Sequence, residues 1–190
     1  VSVPNVVGLK QADAKSELEK AGLVVSEEGV YLTSNDNYYP VGYVSAQDPV
    51  NSSSQVPEGT TVKIYVCKGY KYNVEVKIPY DFKDLYTKVS IWDGGLIKES
   101  EEQDLLAIGY TYVFKELTTT EEQLELTVKI SDENGTRYNL YDVVVTNKKG
   151  SIGETQNTPH KDYNKYPKED GITTNHGNNN TQTGGANTEE

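Results

Sequence analysis

Cysteine, histidine, methionine and tryptophan are nearly missing from this chain. Cys67 is the one thiol, His160 and His176 are the two imidazoles, Trp92 is the one indole, and methionine does not occur. A lone cysteine excludes an internal disulfide, and no cluster of metal-ligand spacing surrounds it. It follows Val62, Ile64 and Val66 on the opposite parity of an alternating run, which predicts a strand residue and not a nucleophile. Both histidines fall in a polar stretch near the end, so Ser–His–Asp or Cys–His chemistry has no ordered base, and two isolated imidazoles do not make a metal site. Basic residues are scarce as well: 18 Lys and Arg stand against 29 Asp and Glu, a formal net charge of -11. That balance argues against nucleic acid and anionic membrane surfaces as partners, since both need basic patches. A cationic partner is compatible with it, and a solvated acidic surface accounts for it. No stretch approaches the roughly 20 apolar residues of a membrane span, and no secretory leader is present. The chain opens without methionine, one residue ahead of its first patterned unit. The expectation is a piece of a longer protein, with any anchor or enzyme domain in the part that precedes it.

Other catalytic signatures are missing too. There is no Gly-rich phosphate loop followed by Lys and Ser or Thr, no GxSxG elbow, no kinase catalytic loop and no Asp-Phe-Gly. Glu99, Glu101 and Glu102 cluster beside Lys98 as a solvated connection would. Asp132-Glu133-Asn134 leads into Gly135 as a hairpin turn and lacks the ligand spacing of a calcium loop. By itself the chain is expected not to be an enzyme and to carry no cofactor or metal.

What is present begins with residues 3–69. Val3-Pro4-Asn5-Val6-Val7-Gly8 is a short apolar entry. Ala14, Leu18 and Ala21 then share one helix face, with Gly22 placed to stop the helix. Lys15, Glu17, Glu19 and Lys20 supply the solvent side. Strands are predicted near residues 23–25, 42–47 and 60–67, the last from the alternation of Val62, Ile64 and Val66 with Lys63 and Tyr65. Such a core is small, and its stability modest.

These landmarks, in this order and at about this spacing, resemble a PASTA domain, an α+β module with one helix packed on a small sheet. They continue with Gly42-Tyr43-Val44-Ser45, Gln47-Asp48-Pro49, and Val56-Pro57-Glu58-Gly59-Thr60-Thr61-Val62 running into Lys68-Gly69. The sequence departs from the family at Ala46, inserted where Ser and Gln usually adjoin, and at the Ser/Asn run of residues 51–54. Both departures bear on the loop that joins two strands.

From residue 70 to 148 the pattern is all-strand. Tyr72, Val74, Val76 and Ile78 alternate up to Pro79, Val89 and Ile91 lead into an Asp93-Gly94-Gly95 turn, and Tyr110, Tyr112 and Phe114 form an aromatic face. Leu124, Leu126, Val128 and Ile130 precede Asn134-Gly135, and Tyr141, Val143 and Val145 return. Some six or seven short strands predict an antiparallel sandwich, with Trp92 in its core or at its rim. In order and position this unit is similar to the immunoglobulin-like domain that follows the last PASTA repeat of some bacterial Ser/Thr kinases. Residues 149–190 carry no periodic pattern and are expected to form a disordered polar tail.

The resemblance implies the extracellular C-terminal region of a membrane-anchored Ser/Thr protein kinase of the PrkC type from a Gram-positive bacterium. Its partners would be peptidoglycan fragments or lipid-linked wall precursors, with self-association of ectodomains as a further contact, and ATP and metal would belong to the kinase domain alone. A PASTA-bearing penicillin-binding protein and a non-binding spacer remain as alternatives. Beside the family landmarks, Tyr43, Gln47, Asp48 and Glu58 have the polar or aromatic chemistry of a ligand site. Fifteen tyrosines offer flat apolar area with a polar tip, and Tyr38 and Tyr39 are loop candidates of that kind, although tyrosine is also an ordinary strand residue.

Overall fold

The computed structural model describes residues 1–50, 55–84, 86–104 and 110–168. Within them, helix α1 (Gln11–Lys20) precedes strands β1 (Val24–Leu32), β2 (Val44–Asp48), β3 (Thr61–Lys77), β4 (Tyr86–Asp93), β5 (Gly95–Glu99), β6 (Gln103–Asp104), β7 (Thr111–Thr119), β8 (Gln123–Ser131), β9 (Arg137–Lys148) and β10 (Ser151–Pro159). Among the described residues no helix is long and apolar enough to cross a membrane.

The first unit follows its periodicity. Ala14 and Leu18 are buried on α1, and Ala21 packs against the same cluster with Val6, Leu23, Val44, Val62 and Ile64. The helix stops at Gly22, whose φ of 78° suits glycine because it has no Cβ to clash. Gly22 N donates to Glu19 O (3.0 Å) and Leu23 N to Leu18 O (3.1 Å), so the last turn's carbonyls are satisfied. In the sheet, β1 runs parallel to β3 and β2 antiparallel to it, with β3 in the middle. Val62, Ile64 and Val66 of β3 share that cluster with the helix. β1 is longer than the predicted strand and reaches Leu32. The extra residue noted at Ala46 is absorbed as a β-bulge, a register shift between Val44 and Ala46. The bulge turns Gln47 inward and leaves Ala46 outside.

β3 does not end where the first unit ends. It continues for 17 residues, and from Tyr70 to Lys77 it pairs with β7. The boundary expected at residues 69 and 70 therefore falls inside one strand. A second sheet, ordered β10-β9-β8-β4-β5 with β6 beside β4, faces the β3–β7 pair. Tyr72, Val74, Val76 and Ile78 of β3 share one buried cluster with Phe114, Val89, Ile91, Leu126, Val128, Ile130, Leu140, Val143 and Val145. The described second unit is thus two sheets around one core. Trp92 is half-buried, its Nε1 donating to Ser90 Oγ (2.8 Å) and its ring carrying Lys129 and Arg137 at 4.5 and 5.1 Å.

The expectation of a disordered tail from residue 149 is overturned for residues 151–168. Ser151–Pro159 forms strand β10, antiparallel to β9. Beyond it a 3-10 turn (Tyr163–Lys165) brings Tyr163 and Tyr166 into the second core. The physical reason is anchoring from outside the strand's own pattern. Ile152 is buried, Asn157 Nδ2 donates to Glu75 O (2.6 Å), and Tyr166 Oη donates to the buried Asp81 Oδ1 (2.7 Å). His160 is accordingly held within the fold, its backbone N–H donating to Leu140 O at 2.8 Å. His176 and the expected tail from residue 169, like the run 51–54, lie outside the described residues.

Candidate functional site

The sheet of the first unit has one face under α1 and one face free of helix. On the free face, Tyr65 and Lys63 of β3 stand beside Glu28 and Val30 of β1 and Ala46 of β2, as the strand register requires. Residues 33–41 then loop over one end of it. The resulting cleft, of about 540 Å³, is lined by Tyr31, Tyr39, Tyr65, Asn35, Asp36, Asn37 and Ser45, with Val30, Leu32 and Ala46 as its apolar floor. That volume and mixture are those of a small-molecule site.

The loop wall is held from within. Asp36 Oδ2 accepts from Thr33 N (2.7 Å) and Thr33 Oγ1 (2.8 Å), and Asp36 N donates back to Thr33 O (3.0 Å), a reciprocally bonded turn with Asn35 inside it and Asn37 just after it. Ser45 Oγ donates to Tyr65 O (3.1 Å) across the bulge. Lys63 pairs with Glu28 and lies 5.0 Å from the centroid of the Tyr65 ring, and Lys68 lies 4.7 Å from that of Tyr31. The hydrogen bond to Glu28 is the main cause of a Lys63 pKa above the ordinary lysine value, so the ammonium stays charged.

The four residues expected to bind ligand are not brought together. Gln47 is 5% exposed. Its Oε1 accepts from Val6 N (2.8 Å), and its Nε2 donates to Pro4 O (3.1 Å) and Pro49 O (3.3 Å). It staples the N-terminal entry to β2, and its amide is spent. Tyr43, half-buried, stands just ahead of β2 and its carbonyl accepts from Cys67 N (2.9 Å). Asp48, exposed, ends β2 opposite Lys63, about 16 Å further along an extended strand. Glu58, exposed, covers Gly22 in the turn before β3: a Cβ placed on that glycine would come within 3.2 Å of it. Tyr65 was visible in the sequence as an aromatic on the outward parity of its strand; Tyr31 lay beyond the predicted strand and follows a register shift after Val30, and Asn35 and Asn37 carried no signal.

Residues 1–68 match the PASTA domain. The chain carries a PASTA domain at its N-terminal end. One solved structure similar to the chain is the entire extracellular region of the Ser/Thr kinase PrkC from Staphylococcus aureus, at 17% identity and a TM-score of 0.30. The match covers 83% of this chain and 51% of that one, so the chain spans about half the length of that structure.

The PASTA domain joins the second unit through more than a strand. Leu32, Cys67, Tyr70 and Ile152 form a third buried cluster, with Val30, Tyr38 and Tyr39 against it. The Tyr38 and Tyr70 rings stack at 5.7 Å and 11°. Tyr70 Oη donates to Tyr39 O (3.1 Å), and Tyr38 Oη donates to Glu122 Oε1 (2.6 Å) across the junction. Burial, then the bond to Glu122, pushes the Tyr38 phenol well above its ordinary pKa, and burial also raises the Cys67 thiol. Tyr38 therefore serves the junction, while Tyr39 serves both: its carbonyl holds Tyr70 and it lines the cleft.

Proposed function

We propose that this chain is the wall-facing sensor region of a membrane-anchored bacterial Ser/Thr protein kinase, in which the PASTA domain binds peptidoglycan fragments outside the cell. The single observation that carries the binding reading is the cleft on the helix-free face of the PASTA sheet, with its aromatic walls and polar rim. The PASTA match supports an extracellular, wall-related role, because PASTA domains generally take peptidoglycan-type ligands. The order of units, PASTA then an immunoglobulin-like sandwich, supports the kinase parent over a penicillin-binding protein. In that parent, ATP and metal would act on the cytoplasmic side and no cofactor would bind here. Signalling would be a population shift: ligand must bind one arrangement of ectodomains better than another, whether through extension or through self-association.

The test is co-sedimentation of the chain with purified peptidoglycan sacculi stripped of other wall polymers. Retention in the pellet, competed by soluble muropeptides, is expected. Quantitative recovery in the supernatant would leave the domain a spacer.

A further inference from the structure

The cleft's chemistry is specific enough to say which part of a wall fragment it takes, on the reading that the PASTA domain binds such fragments. We infer that the cleft bounded by Tyr31, Tyr39, Tyr65, Asn35 and Asn37 is a saccharide subsite that holds an N-acetylhexosamine ring of a glycan chain, and that it does not hold the stem peptide.

The first argument is which polar groups are free. Asp36 is committed to Thr33, Ser45 to Tyr65 O, and Lys63 to Glu28. Among the described residues, by contrast, the side-chain amides of Asn35 and Asn37 and the hydroxyls of Tyr31 and Tyr39 have no hydrogen-bond partner in the protein. These four unpartnered groups are neutral, and each of them both donates and accepts; the one charged side chain on the lining is Asp36, which is negative. A polyol with an acetamido group has the same mixed capacity. A carboxylate-bearing peptide needs unpaired cations, and no Lys or Arg lines the cleft.

The second argument is shape and apolar surface. Tyrosine rings offer flat faces for the C–H side of a pyranose while their hydroxyls reach its edge. Val30, Leu32 and Ala46 give a small apolar floor suited to an acetamido methyl. The cleft, about 540 Å³, is the size of a site for one to two sugar rings. Lys63 and Lys68 lie over the rings of Tyr65 and Tyr31, 5.0 and 4.7 Å from their centroids, and neither lysine lines the cleft.

The test is a set of amide-shift titrations on the isotopically labelled chain with three defined probes: a peptide-free tetrasaccharide from peptidoglycan, the β-1,4-linked tetramer of N-acetylglucosamine, and the free stem peptide. Saturable shifts at residues 30–39, 45, 46 and 65 with the first probe are expected. Equal shifts with the second would mean that the site reads any N-acetylhexosamine polymer; weaker ones, that it reads the wall glycan itself. Asn35→Ala combined with Asn37→Ala, both on the loop surface, should weaken saccharide binding by about fivefold to tenfold with the fold's spectrum unchanged. Tyr65→Ala is an independent variant on the strand side and should do the same. Stem-peptide shifts in the cleft with none from either saccharide would overturn the subsite while leaving the wall-binding reading in place. Failure of all three probes and of sacculi would overturn both.

Discussion

The two cores of this molecule obey the same alternating code and come out very different. Under α1 the PASTA domain buries Val, Ala, Leu and Ile side chains and no aromatic. Across β3 the second unit buries Tyr72, Phe82, Phe114, Tyr163 and Tyr166 among a larger aliphatic set. Buried area sets the hydrophobic contribution at roughly 25 cal/mol per Å², and aromatic rings carry the most area per residue. The PASTA domain therefore has the thinner margin and the freer surface, and the second unit has the mass. The lesson is a division of labour: the small domain can leave a sheet face uncovered because β3 and the Tyr38–Tyr70 junction tie it to a neighbour that supplies stability.

The comparison can be broken most severely from the larger core. Phe114 is fully buried and meets Tyr112 edge-to-face at 4.9 Å. Phe114→Ala should cost about 3–5 kcal/mol. In a denaturant titration followed separately by Trp92 fluorescence and by helix circular dichroism, both transitions should move, because both units share β3. A helix signal that stays put would show that the PASTA domain stands alone.

Gly69 tests the joint itself. A Cβ there would lie 2.6 Å from Thr119 O and 2.9 Å from Tyr31 Cε1, so Gly69→Ala must push β7 away from β3. The expected cost is about 2 kcal/mol, with increased hydrogen exchange at residues 70–72 and 117–119. Unaltered exchange there would mean that the crossing is slack.

Gln47→Ala sharpens the other side of the comparison. It leaves Val6 N buried without an acceptor, at about 1–3 kcal/mol. The loss should appear as faster exchange at the N-terminal entry and β2, while the β8–β9 amides keep their protection. Weaker ligand affinity at full stability would instead restore Gln47 to the site. Tyr38→Phe is milder. It removes the hydroxyl donated to Glu122 but keeps the stacking on Tyr70, so about 1 kcal/mol is expected, read as a small downward shift in Tm.

The smallest effect is a null one. Cys67 is 1% exposed and its thiol is held above the ordinary cysteine pKa by burial. The thiolate is the reactive form, so alkylation at mildly alkaline pH should be negligible in the native protein and complete in denaturant. Rapid native labelling would show that the junction opens on its own.

Much of this architecture is legible in the sequence because period and punctuation agree. Ala14, Leu18 and Ala21 with Gly22 mark α1. The Leu124-to-Ile130 alternation with Asn134-Gly135 marks the β8–β9 hairpin, whose Gly135 has a φ of 79°. The apolar even positions from Val62 to Ile78 also run unbroken but for Lys68, so one long strand was there to be read. The family match ends at residue 68 all the same, so the two units meet inside that strand. β10 was missed for a physical reason. In Ser151–Pro159 only Ile152 is an apolar anchor, and the strand is held by its ladder to β9 and by Asn157 reaching Glu75. None of that leaves a hydrophobic rhythm. Gln47 shows the converse limit. Its polar character suggested a ligand contact, whereas a bulge one residue earlier turns it toward backbone groups that need it. The cleft depends on a loop folding over a strand face, and such a juxtaposition has no local signature.

β3 has a mechanical meaning as well. Seventeen residues of extended chain make a spar about 56 Å long that passes through both domains without a joint. Two domains on a flexible tether would lose a displacement at one end as slack. Here, a tug or a tilt imposed on the PASTA end is carried along one continuous backbone, braced by β1 and β2 below the crossing and by β7 above it. A load applied at one end of β3 would therefore reach the other as a change of angle.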